Sequence, residues 1–138
     1  MTDYKIIIPA RYNSKRFPGK PLVKIHGKTM LERVWLNAMD SAASEVIIAT
    51  DDQRIEAVAK NFGAHVCVTS NEHKSGTDRI IEAIEILGLR DDEIILNVQG
   101  DEPLLSNKLM DECASLISDK GGCIGTLASP FAKGERLD

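Results

Sequence analysis

Short apolar runs alternate with amphipathic stretches along this chain, and that alternation restricts the fold more than any other feature. "YKIIIPA" (4–10), "EVIIAT" (45–50), "HVCVT" (65–69), "DEIILNV" (92–98) and "CIGTLAS" (123–129) have the length and composition of strands. The intervening stretches have helical periodicity. "TMLERVWLNAM" opens with Thr29, carries Glu32 at capping-box spacing, and puts Leu31, Val34, Trp35 and Ala38 on one face. "DDQRIEAVAKNFG" aligns Ile55, Val58, Ala59 and Phe62 and stops at Gly63. "SGTDRIIEAIEILG" holds Ser75 and Asp78 at capping spacing, buries Ile80, Ala83, Ile84 and Leu87, and ends at Gly88. Leu109, Met110, Cys113, Leu116 and Ile117 make a further inward stripe.

This order predicts an α/β, Rossmann-like fold: a mainly parallel sheet with helices on both faces. The run Ile94-Ile95-Leu96 is continuous rather than alternating, as a strand covered on both sides requires. Ligands of such sheets lie beyond the carboxyl ends of the strands. The residues to inspect are therefore 9–20, 50–52, 70–79 and 99–106.

A length of 138 residues fits one domain, and a formal net charge of −4 argues against nucleic acid or an anionic membrane surface as partner. Cys67, Cys113 and Cys123 form no C-x-x-C pair, and no secretory leader is apparent. A reducing, cytoplasmic location with free thiols is expected. No apolar stretch approaches the roughly 20 residues of a membrane span.

Against that acidic background, "PARYNSKRFPGKPL" (9–22) concentrates Arg11, Lys15, Arg16 and Lys20 directly after the first strand. It is not a P-loop. "GKT" at 27–29 would need an earlier glycine where Leu22 stands, and G-x-G-x-x-G is absent. What remains is a cationic turn stiffened by Pro18, Gly19 and Pro21. Arginine forks and a compact lysine charge suit phosphate oxygens. A solvated loop with incidental charge is the plain alternative.

"NVQGDEP" (97–103) leaves a buried strand at the same edge, with Gln99 free to meet a ligand and Asp101 placed to offer a magnesium oxygen ligand. A polar turn closed by Pro103 is the alternative. In "SGTDR" (75–79), Ser75 and Gly76 open a helix whose first N–H groups lack intrahelical partners. Arg79 in that first turn opposes the helix dipole, so it either faces an anion or is solvated. Asp51 and Asp52 most simply cap a helix, though they could reach a ligand. Cys67 reads as core, and His26, His65 and His73 lack ligand spacing.

"IIPARYNSKRFPGKPL", "IIATDD", "SGTDR" and "NVQGDEP" occur in the order and spacing of the 3-deoxy-manno-octulosonate (Kdo) cytidylyltransferases, and the resemblance runs from Lys5 to about Ser129. It implies transfer of CMP from CTP to the acidic sugar Kdo with release of pyrophosphate, magnesium dependence, and a place in lipopolysaccharide biosynthesis. It implies catalytic roles for Arg16, Lys20 and Asp101. Arg11, Ser14, Arg16 and Lys20 would contact the nucleotide's phosphates, and Ser75, Gly76 and Arg79 its cytidine side. Gln99 would touch the ligand and Asp101 would bind Mg2+. Family members are longer and expected to be homodimers. Residues 1–138 would thus be the nucleotide-binding N-terminal part, with sugar-binding residues and a second metal carboxylate beyond them. A CMP-sialate synthetase, an 8-amino-Kdo cytidylyltransferase and a non-catalytic nucleotide-binding fragment are the alternatives.

Overall fold

The computed structural model describes residues 4–12, 19–70, 76–89, 94–98, 107–119 and 124–127. The elements follow in chain order. β1 (Lys5–Pro9) leads through a 3-10 turn (Lys20–Leu22) to β2 (Lys24–Ile25) and β3 (Lys28–Thr29). Then come α1 (Met30–Met39), β4 (Glu45–Thr50), α2 (Gln53–Asn61), β5 (His65–Val68), α3 (Gly76–Leu87), β6 (Ile95–Val98), α4 (Asn107–Asp119) and β7 (Ile124–Leu127).

The main sheet runs β5-β4-β1-β6-β7, and every pairing is parallel. β1 is central, with Ile7 opposite Ile47 on one side and Asn97 on the other. The chain first builds outward from β1 through β4 to β5, then crosses back to place β6 on the opposite flank. That reversal puts a topological switch point between β1 and β6, where open α/β sheets bind ligands.

Successive side chains of a strand point to opposite faces. Ile6 and Ile8 therefore join Val46, Ile48, Leu96 and Val98 in a core under α1, α2 and α4, to which Leu31, Val34, Ala38, Ile55, Ala59, Met110 and Ala114 contribute. Ile7, Ile47, Ala49 and Ile95 face the other way, against Ile80 and Ala83 of α3. Both faces are covered, which is why the strand sequences are unbroken apolar runs.

Local signals act as their chemistry requires. Thr29 Oγ1 accepts the Glu32 N–H at 3.1 Å and caps α1. Asp52 caps α2, its Oδ1 accepting from the N–H groups of Arg54 (2.9 Å) and Ile55 (3.2 Å). Gly63 and Gly88 take φ of 95° and 67° just past their helices.

One expectation needs correction. Leu116 is 58% exposed, while Ala114 takes the buried place beside Met110. α4 shows the sheet a narrow stripe, and Leu116 lies too far round the helix to join it. "GKT" belongs to a β2–β3 hairpin whose two turn residues, His26 (φ 52°) and Gly27 (φ 85°), both have positive φ, as a type I′ turn demands. The capping role expected of Ser75 lies outside the described residues.

Candidate functional site

The carboxyl edge of the sheet gathers the candidate residues that the structure describes. Beyond β1, the ladder continues through Ala10 N–H to Ala49 O (2.9 Å) and releases the chain at Arg11, which is exposed. Gly19, at φ 73°, starts the 3-10 turn that carries Lys20. Pro21 presets that turn and is buried, so the lysine backbone is anchored while its side chain stays half-exposed. The Gly19 N–H donates to Tyr12 O at 2.6 Å, which brings the two ends of the basic segment together. A Cβ at Gly19 would lie 2.9 Å from Tyr12 Cε2, so only glycine fits here.

Tyr12 and Arg54 were not candidates in the sequence. The Arg54 guanidinium carbon lies 3.3 Å from the centroid of the Tyr12 ring. Arg54 also grips Asp52 with Nε (3.1 Å to Oδ1) and Nη2 (2.7 Å to Oδ2). This grip, chiefly, holds the Asp52 carboxyl below its ordinary range, with the helix N–H bonds assisting and partial burial opposing. The spacing Asp52-x-Arg54 at a helix start was the available signal.

Arg79 is neither solvated nor at the surface. It is 2% exposed, and its Nη1 donates to Thr69 Oγ1 (2.5 Å) and Ser70 O (3.3 Å) and lies 3.4 Å from Asp51 Oδ1. Its Nε has no hydrogen-bond partner among the described residues. One turn on, Glu82 accepts the Ser70 N–H at 2.9 Å. α3 thus holds the exit of β5 by two side chains, and Asp51 is engaged by an arginine rather than capping α2. Gly76 is the first residue of α3, at the same edge.

Cys67 is buried and its thiol is pushed up by desolvation, which fits a core residue and not a nucleophile. His65 pairs with Glu45 at 2.9 Å at the opposite end of the sheet. A pocket lined by Trp35, Met39, Val46 and His65 opens at that amino end as well, away from the described candidate residues. The described residues contain no cluster of three or more metal-ligating side chains. Ser14, Arg16, Ser75, Gln99 and Asp101 lie outside the described residues.

A family model for cytidylyltransferases matches residues 5–137. A 3-deoxy-manno-octulosonate cytidylyltransferase of Aliivibrio fischeri is 52% identical over 91% of this chain and 51% of its own length. That of Chromohalobacter salexigens is 49% identical over 99% of this chain and 54% of its own. The chain spans about half the length of the curated relatives it matches. A solved CMP:2-keto-3-deoxy-manno-octonic acid synthetase, complexed with CTP, superposes with a TM-score of 0.78 at 39% identity, covering 86% of this chain and 48% of that one. A family match over nearly the whole chain, on a parallel sheet whose central strand releases Arg11 at the switch point, allows one conclusion: the chain belongs to the cytidylyltransferase family.

Proposed function

We propose that this chain is the CTP-binding part of an enzyme that activates Kdo, forming CMP-Kdo and pyrophosphate. The observation that carries the reading is that the central strand ends at the switch point of the sheet on Arg11, with Lys20 returning beside Tyr12. The relatives named above support the choice of sugar.

In the proposed reaction a hydroxyl oxygen of the sugar attacks the α-phosphorus of CTP, and the bond to pyrophosphate breaks. The hydroxyl proton passes to solvent. Such a transfer depends on in-line positioning and charge neutralisation rather than on a protein nucleophile. Arg11, Ser14, Arg16 and Lys20 would hold the phosphates. Ser75, Gly76 and Arg79 would form the cytidine side, Arg79 through its grip on the β5 exit, and Gln99 would contact the ligand. Magnesium would neutralise charge on the triphosphate when bound. Asp51 and Asp52 at this edge are both engaged by arginines, and the resemblance makes Asp101, with phosphate oxygens, the expected ligand. Metal is then expected to bind weakly and only with CTP, and to be lost in Asp101→Asn, as manganese relaxation would report.

On this reading the enzyme works in the cytoplasm, in lipopolysaccharide biosynthesis, and as a homodimer. No described helix is long and apolar enough to cross a membrane. The test is pyrophosphate release with CTP, magnesium and either Kdo or sialate. Release with Kdo alone is expected of an enzyme in which this part is joined to the sugar-binding residues. Release with sialate alone would transfer the reading to a CMP-sialate synthetase. CTP binding without turnover even then would favour the second reading, a non-catalytic nucleotide-binding fragment.

A further inference from the structure

Tyr12 has no part in the reading above, yet the two ends of the basic segment meet on it. Its carbonyl accepts the Gly19 N–H at 2.6 Å, and its ring fills the space beside Gly19. Arg11 directly precedes it, and Lys20 directly follows Gly19. The guanidinium of Arg54 covers the ring at 3.3 Å. That guanidinium is in turn held on two nitrogens by Asp52, the N-cap of α2. An unbroken series of contacts therefore runs from a helix cap, through a guanidinium and an aromatic ring, to the backbone that carries Lys20.

We propose that Tyr12 and Arg54 are positioning residues for triphosphate binding, setting how far apart Arg11 and Lys20 stand. The inference rests on the CTP-binding reading. Arg54 acts here through the ring and not as a phosphate ligand. Asp52 offsets its charge and takes up Nε and Nη2, and one face of the guanidinium lies on Tyr12. A ring is the right part for the task. It has few torsions, it spans the gap between α2 and the turn, and it holds a cation without a second carboxylate that would repel the triphosphate. Glycine at position 19 completes the fit, because any side chain there would displace the ring.

The experiment is calorimetric titration of the whole chain with CTP and with CMP, magnesium present, alongside thermal melts. Variants are Tyr12→Ala, Tyr12→Phe and Arg54→Ala. An exposed cation–π contact is equivalent to about a two- to fivefold change in an equilibrium constant, which is the CTP loss expected of Arg54→Ala. Tyr12→Ala also loses the packing on Gly19 and should weaken CTP by about tenfold, since misplaced binding groups act steeply on affinity. CMP affinity should change by less than about twofold in both, because CMP lacks the phosphates that the segment is placed to meet. Tyr12→Phe keeps the ring and should behave as wild type. A lower melting temperature with an unchanged ratio of CTP to CMP affinity would overturn the proposal, as would equal losses for both nucleotides. Arg54 lies at the surface, so its variant decides the matter even if Tyr12→Ala fails to fold. Wild-type protein that binds neither nucleotide would sink the functional reading and this inference together. Wild-type CTP binding with an unchanged ratio in the variants would sink this inference alone.

Discussion

Arg79 Nη1 lies 3.4 Å from Asp51 Oδ1, joining the first turn of α3 to the end of β4 through an arginine that is 2% exposed. A buried cation with one carboxylate beside it is costlier to orphan than to remove. Asp51→Ala is expected to destabilise the fold by about 2–3 kcal/mol, below the range for fully buried pairs because Asp51 keeps some solvent contact. The double variant Asp51→Ala, Arg79→Met should recover part of that loss. Urea denaturation of the two proteins decides, and equal stabilities would show that the pair is not coupled.

Lys20 tests the phosphate side of the site. A charge-assisted hydrogen bond contributes roughly 1.5–3 kcal/mol, so Lys20→Ala should weaken CTP binding by about ten- to a hundredfold. Lys20 is half-buried on a turn anchored by Pro21, and the variant should still fold. Calorimetry on the folded variant checks both statements.

Asp52 should make stability depend on pH in acid. Its folded pKa is depressed, chiefly by Arg54, so its contribution is complete above the unfolded value of about 3.9 and declines as pH falls through the folded one. Asp52→Ala removes the cap and should cost about 1 kcal/mol at neutral pH. The gap between wild type and variant should shrink as the pH is lowered below about 4. Denaturation curves at neutral and acid pH measure it.

Tyr4 and Asp111 give an asymmetric pair at the other end of the sheet. The Tyr4 hydroxyl donates to Asp111 Oδ1 at 2.6 Å, and the same oxygen accepts the Ala42 N–H at 2.9 Å. Burial first, and the Asp111 hydrogen bond second, push the phenol well above its ordinary pKa. Asp111→Ala leaves a buried hydroxyl and a backbone donor without this acceptor and should cost about 1–3 kcal/mol. Tyr4→Phe removes only the donor and should cost about 1 kcal/mol or less. Thermal melts that rank the two the other way round would contradict this account.

What the sequence revealed, and what it hid, follows from how local each cause is. Thr29 with Glu32 and the stops at Gly63 and Gly88 act within a few residues, and the structure repeats them. The covered strands were legible because both faces of β1, β4 and β6 need apolar residues. The partner of Arg79 was not legible, since Asp51 meets it only once β4, β5 and α3 are assembled. Its position beside Ile80 on the inward stripe was the one hint of burial. The β2–β3 hairpin carried a visible signal, His26-Gly27 between two short runs. Tyr12 looked like one aromatic among charges, because its ring contacts Arg54 through tertiary structure alone.

The central place of β1 governs the order in which the protein can be completed. Its neighbours are Glu45–Ala49 on one flank and Ile95–Asn97 on the other. The three isoleucines that leave the ribosome early must therefore wait for a strand made much later. At roughly 5–20 residues per second, that interval lasts about five seconds or more. For that time the nascent chain carries a sticky β-prone segment with one edge unpaired. Chaperone demand and losses to aggregation should then fall on the chain during translation more than on the finished fold.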